Sequence, residues 1–289
     1  MVKNNKKFKF EIEPIGIQNR VEKYIANKLN LIPPHSYDKI TPDELDRVCK
    51  DLVNNFNSKD LIGFSPEIIL SLRANLMRSH MMIMHKTLKL KEKSIIKDYD
   101  KGMSVENLVI KYDGSPLNIL RLIFQSKYDA KLSAIIKNKT DIKLNPRDEK
   151  ELEWAKSHDI YALVNQDAVL ARSSEFEDGV GNILSKHKIK FKTQTDLALE
   201  QIKSHGKPFN TPDFLLLDDL YIQNEKINWI DAKNFYGANI GFMKKNIRSQ
   251  TEKYINEWGT GMIIYKLGFN SSMSFDDILL MDYETFKKI

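Results

Sequence analysis

Thr211-Pro212-Asp213-Phe214-Leu215-Leu216-Leu217, followed after a polar stretch by Ile227-Asn228-Trp229-Ile230-Asp231-Ala232-Lys233, decides how the rest of the chain is read. Phe214 to Leu217 is a short apolar run bounded by Pro212 and by Asp218-Asp219. That is the pattern of a strand buried on both faces, with Asp213 at its entrance. In the second segment Ile227, Trp229, Asp231 and Lys233 alternate with Asn228, Ile230 and Ala232. Side chains on a strand repeat every two residues, so Asp231 and Lys233 share a face, about 7 Å apart along the strand. Two carboxylates and an ammonium on adjacent strands suit a hard divalent cation beside a phosphodiester. The carboxylate oxygens share the ion, and the lysine orients the nucleophile or offsets charge growing on the phosphate. A solvated hairpin could carry the same letters, so the surroundings have to decide.

At 289 residues the chain is long enough for two domains with cores of their own. No apolar run of 18 or more residues occurs, and Met1-Val2-Lys3-Asn4-Asn5-Lys6-Lys7 lacks an apolar signal region. A soluble intracellular protein of the nucleus or cytoplasm, with no membrane partner, is expected. Cys49 is the only cysteine, which excludes an intrachain disulfide and a cysteine-based zinc site within one chain. The net charge of +6 is unevenly spread: residues 1–150 carry 28 Lys and Arg against 19 Asp and Glu, whereas residues 151–289 carry 17 against 20. The front half thus reads as an electrostatic footprint for nucleic acid, and the back half concentrates acids as a metal site does.

After a basic tail, Ile17, Val21, Tyr24, Ile25 and Leu29 space as one face of a helix ended by Pro33-Pro34. Thr41-Pro42-Asp43-Glu44 repeats the T-P-D letters with a different meaning. Thr41 reads as an N-cap, Pro42 as the first helical residue and Glu44 as the capping-box partner, so this copy starts a helix. A long helix from Ser65-Pro66 to about Lys89 carries Met77, Met81, Met82 and Met84, read as core. Three short helices follow, Glu92 to Tyr99, Ser104 to Tyr112 and Leu117 to Phe124. Lys101-Gly102-Met103 and Asp113-Gly114-Ser115-Pro116 separate them, which is the grammar of a helix-turn-helix module. In such a module the last helix lies in the major groove, making Asn118, Arg121, Gln125 and Lys127 candidate nucleic-acid contacts, with a solvated helix face as the competing reading. A basic bridging segment leads to a helix at Pro146, and Ala162 to Ala171 is read as more helix. The domains are therefore drawn as 1–145, all helical, and 146–289. In the second, Ser174 to Lys186 reads as helix, Ile189 to Thr193 as strand, and then come the two strands above. A helix from Met243 to Trp258, a strand Met262 to Tyr265 and a final strand and short helix complete an α+β or α/β domain of order αβββαβ.

That order, with Pro212-Asp213 and then Asp231-Ala232-Lys233 on successive strands, resembles the PD-(D/E)XK nuclease superfamily, the restriction-endonuclease-like fold. The resemblance is closer to its TPD-motif branch, the family of the eukaryotic nuclease that binds codanin. Thr211-Pro212-Asp213-Phe214, Trp229 to Lys233, and the stretch from Gln250 to Phe269, Q-x-x-x-Y-x-x-x-W-G-T-G-M-I-I-Y-K-L-G-F, carry it. Asp231 stands where some relatives have Glu. The resemblance implies a first-helix acid in the metal site. Glu177 shares the face of Val180 and Leu184, whereas Glu175 and Asp178 do not. It further implies that Glu177, Asp213, Asp231 and the Ala232 carbonyl hold Mg²⁺ or Mn²⁺, that Lys233 positions or activates water, and that Gln250 is an accessory polar residue. The expected activity is metal-dependent hydrolysis of DNA phosphodiesters, with a branched or flapped form of the DNA left open. A codanin-like protein partner and a homodimer stay open. The alternatives are a DNA-binding regulator or a partner-binding platform on an inert nuclease fold.

Overall fold

The computed structural model of the protein describes residues 6–29, 37–137, 139–161 and 166–289, the side chains of 166–170 excepted. Met1 to Asn5 of the basic tail, Pro33-Pro34 and residues 162–165 of the expected linking helix lie outside the described residues. Among the described residues the chain forms eight strands and twelve helices. In order they are β1 (Lys7–Phe10), β2 (Gly16–Ile17), α1 (Asn19–Lys28), α2 (Pro42–Asn55), α3 (Pro66–Leu90), α4 (Glu92–Asp100), α5 (Val105–Tyr112) and α6 (Pro116–Tyr128). Next are α7 (Leu132–Ile136), α8 (Pro146–His158), α9 (Gln166–Lys186), β3 (Phe191–Thr193), α10 (Gln194–His205), β4 (Phe214–Ile222) and β5 (Glu225–Lys233). The last are α11 (Gly241–Trp258), β6 (Gly261–Tyr265), β7 (Phe269–Asn270), β8 (Ile278–Asp282) and α12 (Tyr283–Phe286). No described helix is long and apolar enough to cross a membrane.

The chain does not divide at one point near 145. One compact unit takes the described residues up to Ala26, with Arg47–Leu72 and Asp167–Ile289; the other takes those of Asn27–Asp46 and Arg73–Gln166. The reason is that the front of the chain completes the sheet of the back. The basic segment Lys7–Phe10, expected to be a tail, is β1 and lies parallel to β4, Lys7 beside Asp219 and Phe10 beside Ile222.

The sheet unit is mixed, in the order β1-β4-β5-β6-β8, with β3 antiparallel on the first part of the same β4 edge that β1 occupies further on. β4 and β5 are antiparallel, and β6 and β8 follow β5 in parallel. β5 turns Ile230 and Ala232 to one face, where Phe176, Val180 and Leu184 of α9 and Phe286 of α12 cover them. It turns Trp229 to the other face, against Ile247 and Tyr254 of α11. Helix-flanked faces of this kind bury the central strand completely, and β6 is buried at every residue.

Two sequence expectations are corrected here. Asp218-Asp219 does not end β4; the strand runs on to Ile222 and turns at Gln223-Asn224, both with positive φ. Pairing jumps from Leu215 opposite Trp229 to Leu220 opposite Ile227, so the acids sit in a bulge. There Asp218 is buried and accepts from the backbone N–H of Lys6 (3.2 Å) and of Lys190 (2.9 Å), which fastens β1 and the β3 lead-in to β4. Leu217 is correspondingly exposed rather than buried on both faces. The second correction is α10, an unforeseen helix between β3 and β4. Its N-terminus has a full capping box from Thr193 and Asp196, and Gly206, with φ of 75°, ends it.

The helical unit keeps the expected punctuation. Thr41 and Glu44 form the capping box that starts α2, Ser104 caps α5, and Ser115 caps α6 with Pro116 in its first turn. Helix α8 fastens this bundle with carboxylates. Glu151 accepts from the Val105 N–H at the start of α5 (2.8 Å), and Asp159, just past the end of α8, accepts from the Leu117 N–H at the start of α6 (3.1 Å). Asp148, fully buried, accepts from Tyr99 (2.6 Å), Lys127 (2.5 Å) and Tyr128. Of the methionines read as core, Met77 is buried but Met82 is 55% exposed.

Candidate active site

Asp213, Asp231, Ala232, Lys233 and Gln250 are brought together at the open end of the β4–β5 pair. The last register pair there is Phe214 with Ile230, so one step further Asp213 comes opposite Asp231. Opposed residues of an antiparallel pair point to the same face, which the spacing in sequence could not by itself establish. Asp213 Oδ2 accepts the Ala232 N–H at 2.7 Å, which pins the T-P-D carboxylate to the D-x-K strand. A strand residue directs its N–H and C=O to the same side, so the Ala232 carbonyl faces the same mouth.

Lys233 and Asp231 form an ion pair at Asp231 Oδ2, with side chains 17% and 2% exposed. Among the described residues no donor is well aligned on that buried oxygen, so the contact with Lys233 is chiefly one of charge. Gln250 of α11 bridges the two: its Nε2 donates to Asp231 Oδ1 at 3.2 Å, and its Oε1 accepts from Lys233 Nζ at 3.1 Å. Tyr254, one turn on, packs edge-on against Trp229 with ring centroids 5.3 Å apart. Glu177, half-buried on α9, lies within electrostatic reach of Asp231 and Lys233, whereas Glu175 and Asp178 are exposed.

Crowding of carboxylates in a buried place sets their proton affinities. Burial, reinforced by the charge on Asp231, pushes the Asp213 carboxyl up to about 7 against the pull of the Ala232 N–H. Burial, with Asp231, also raises Glu177 above the ordinary carboxylate range. For Lys233, burial pulls the ammonium down, but Asp231 and Asp213 outweigh it and hold it above the usual lysine range. A mouth with this much negative charge and one ammonium has spare capacity for a cation. Among the described residues no three His, Cys, Asp or Glu side chains are gathered closely enough to hold a metal ion. The oxygens gathered at the mouth that could hold one are the Asp213 and Asp231 carboxylates and the Ala232 carbonyl, with Glu177 within electrostatic reach of them.

The motif letters around the site have structural reasons. Trp229 donates its indole N–H to the Gly259 carbonyl (2.8 Å), and a Cβ on Gly261 would come within 2.0 Å of the indole. The Trp of the D-x-K strand and the W-G-T-G stretch are therefore one packing unit. Sequence reasoning passed over two neighbours of Lys233 inside the stretch it quoted. Tyr265, paired beside Lys233 in the register, buries a hydroxyl with no partner among the described residues. Lys266 donates its N–H to the Lys233 carbonyl (2.9 Å). The parallel pairing of β5 with β6, once recognised, gives both.

The four candidate nucleic-acid contacts lie on α6 in the helical unit. At 3.6 residues per turn Asn118, Arg121 and Gln125 share a stripe, while Lys127 lies about 180° around from Asn118. Arg121 and Gln125 are exposed and Asn118 is half-buried. Lys127 points the other way, to the buried Asp148, and is a structural partner of that carboxylate rather than part of a recognition stripe.

Residues 144–284 match the family model described as a protein of unknown function with the TPD sequence motif, a span that holds Glu177, Asp213, Asp231, Lys233 and Gln250. The chain is similar to the uncharacterized protein L539 of Acanthamoeba polyphaga mimivirus, 28% identical over 263 residues, which cover 89% of this chain and 90% of that protein. No solved structure matches the chain.

Proposed function

We propose that the chain is a divalent-metal-dependent nuclease that hydrolyses DNA phosphodiesters at the mouth of the β4–β5 pair. The observation that carries the reading is the pinning of Asp213 against Ala232, opposite Asp231 and beside Lys233, with Gln250 bonded to both members of the Asp231–Lys233 pair. The resemblance to the PD-(D/E)XK superfamily, through its TPD branch, supports it from the sequence side.

The donor set suits Mg²⁺ or Mn²⁺, ions that take hard oxygen ligands; Mg²⁺ in particular keeps several waters and needs only one or two carboxylates. Asp213, Asp231 and the Ala232 carbonyl would hold the ion, with Glu177 reaching it through the water shell. When bound, such an ion polarises the phosphate and lowers the pKa of water. The chain's own residues do the rest. Asp213 is fixed before any ligand arrives, since its oxygen is already tied to β5. Gln250 keeps the Lys233 ammonium in place when the charge of Asp231 is engaged elsewhere. That ammonium then faces the nucleophile and the phosphate oxygens with its charge intact. The stripe Asn118, Arg121 and Gln125 on α6 is the proposed DNA contact of the helical unit.

The test uses purified chain with labelled single-stranded, duplex, flap and junction DNA in Mg²⁺ or Mn²⁺. Cleavage is expected that EDTA and Asp231→Ala both abolish. Wild-type cleavage no greater than that of Asp231→Ala refutes the proposal.

A further inference from the structure

Helix α4 buries Ile95 and Tyr99 in the core of the helical unit and leaves Lys93, Lys97 and its C-cap, Lys101, exposed. Successive members are four residues apart, so they form a row on one side of the helix, with steps of about 6 Å and a length of about 12 Å. Together with Ile96, Asp100 and Ser126 from the last turn of α6, they line a groove of about 480 Å³.

Other lysines of the same three-helix module are used by the fold. Lys111 pairs with Asp98 (2.6 Å) and Lys127 with Asp148 (2.5 Å). Among the described residues neither the three groove lysines nor Asp100 forms an ion pair. Ammonium groups four residues apart on a helix repel one another, so the row is charge that the fold gathers without neutralising it. Its backbone is fixed. Arg147 of α8 donates to the carbonyls of Tyr99 (2.8 Å) and Met103 (2.9 Å), and its guanidinium lies 4.1 Å from the centre of the Tyr99 ring, which holds the turn that Lys101 opens.

We propose that this groove takes the sugar-phosphate backbone of duplex DNA, with Lys93, Lys97 and Lys101 meeting successive phosphates and the Ser126 hydroxyl as a further donor. A straight row of charge fits a linear polyanion. Each DNA strand carries one negative charge per about 3.4 Å of duplex axis, so a row of about 12 Å spans about three phosphates. The position is that of a backbone contact. In three-helix modules of the homeodomain type, the turn after the first helix and the C-terminal end of the third touch the DNA backbone while the third helix reads bases. Lys101 opens the turn after α4, and Ser126 stands in the last turn of α6, about 100° around that helix from Gln125 of the proposed stripe. The groove wall has no exposed aromatic or apolar side chain, which a stacked unpaired base or a bilayer surface would engage. The inference rests on the proposed DNA contact of the helical unit, and adds where the phosphates lie and that the strand is paired.

The test is fluorescence anisotropy of the full-length chain in EDTA with two labelled blunt duplexes of unrelated sequence, over a series of salt concentrations. The triple variant Lys93→Gln, Lys97→Gln, Lys101→Gln should lower the slope of log affinity against log salt by about 2.7 and weaken binding about tenfold or more near 0.1 M salt. The loss should be the same on both duplexes, because phosphates carry no sequence. A control that removes equal charge elsewhere, Lys203→Gln, Lys207→Gln, Lys288→Gln, should change the slope by less than about 0.5. In the wild-type chain, duplex should protect Lys93, Lys97 and Lys101 from acetylation read by mass spectrometry, a result that needs no variant to fold. An unchanged slope in the groove variant, an equal loss in the control, or no protection of these three lysines would overturn the proposal and leave the α6 stripe and the nuclease reading standing. Groove-dependent binding to phosphatidylserine vesicles without duplex binding would overturn it as well. Groove-dependent duplex binding without any metal-dependent cleavage would sink the nuclease reading and leave this contact in place.

Discussion

Replacing Asp213 by asparagine should stabilise the protein, and by an amount that depends on pH. The carboxyl is buried beside Asp231 and its pKa is pushed from 3.8 up to about 7. In the unfolded chain it ionises near 3.8, so between that pH and about 7 the folded state holds a proton that the unfolded state has lost. Stability therefore falls as pH rises through this window, at about 1.36 kcal/mol per pH unit, for a total of about 4 kcal/mol. Above about pH 7 the deficit is complete and flat; below about pH 4 it vanishes. Asparagine is neutral throughout and can still accept the Ala232 N–H, so it removes the deficit without removing that bond. The assay is urea denaturation from about pH 4.5 to about pH 8.5 in EDTA, followed by amide exchange of peptides covering β4 and β5, which reports the sheet unit alone. The Asp213→Asn variant should be more stable than wild type by up to about 4 kcal/mol near pH 8, with the gap closing towards about pH 4.5. Saturating Mg²⁺ should narrow the gap at the alkaline end, because an ion held by the carboxylate stabilises only the wild type. A gap independent of pH, or a less stable variant at the alkaline end, would refute the picture of a desolvated carboxylate pair.

Two further substitutions probe the frame around the site and the helical unit. Gly261→Ala drives a Cβ to within 2.0 Å of the Trp229 indole, so it should cost about 3 kcal/mol or more, seen as a lower urea midpoint, and should disturb the amide exchange of β5 most. Wild-type stability in that variant would mean the indole is free to move. Asp148→Asn leaves Lys127 without its buried anion. With Lys127 36% exposed, a loss of about 2 kcal/mol is expected, below that of a fully buried pair. Burial raises the Asp148 carboxyl, but Lys127, Tyr128 and Tyr99 outweigh it and hold it below the ordinary range. Its stabilisation is thus present above the unfolded carboxylate pKa and is lost as pH falls through the folded one, so denaturation of the two chains should converge in acid.

How much of this the sequence disclosed depends on the range of the interaction. Caps are local, and Thr41, Ser104 and Ser115 act where their side chains reach, within three residues, so the helical unit was readable. The D-x-K strand was readable because period two is a property of one strand. Asp213 facing Asp231 was not, since it needs the antiparallel register, and the bulge at Asp218-Asp219 shows why: two polar letters looked like a turn, although Asp218 serves β1 and the β3 lead-in. Helix α10 was hidden by a segment whose apolar residues do not all face a core: Leu199 and Ile202, which break the one-faced pattern, are left exposed.

The largest departure concerns the front of the chain, and it changes what the candidate site is. Basic residues ahead of Gly16 invited an electrostatic reading, yet Lys7–Phe10 pairs with β4, and Glu22 of α1 is buried for a purpose that only the folded chain shows. Its carboxylate accepts from the Tyr236 hydroxyl at 2.8 Å and from the Asn239 N–H, while Ser71 accepts the Tyr236 N–H at 2.9 Å. Tyr236 follows Lys233 by three residues, so these contacts hold the segment into which the D-x-K strand runs. Removing residues 1–145 would strip the β4 edge of β1 and take the Glu22 carboxylate from the buried Tyr236 hydroxyl. The segments that look dispensable from the back half are thus part of what keeps Asp231 and Lys233 on a fixed strand, and site geometry depends on residues more than 160 positions away in the chain.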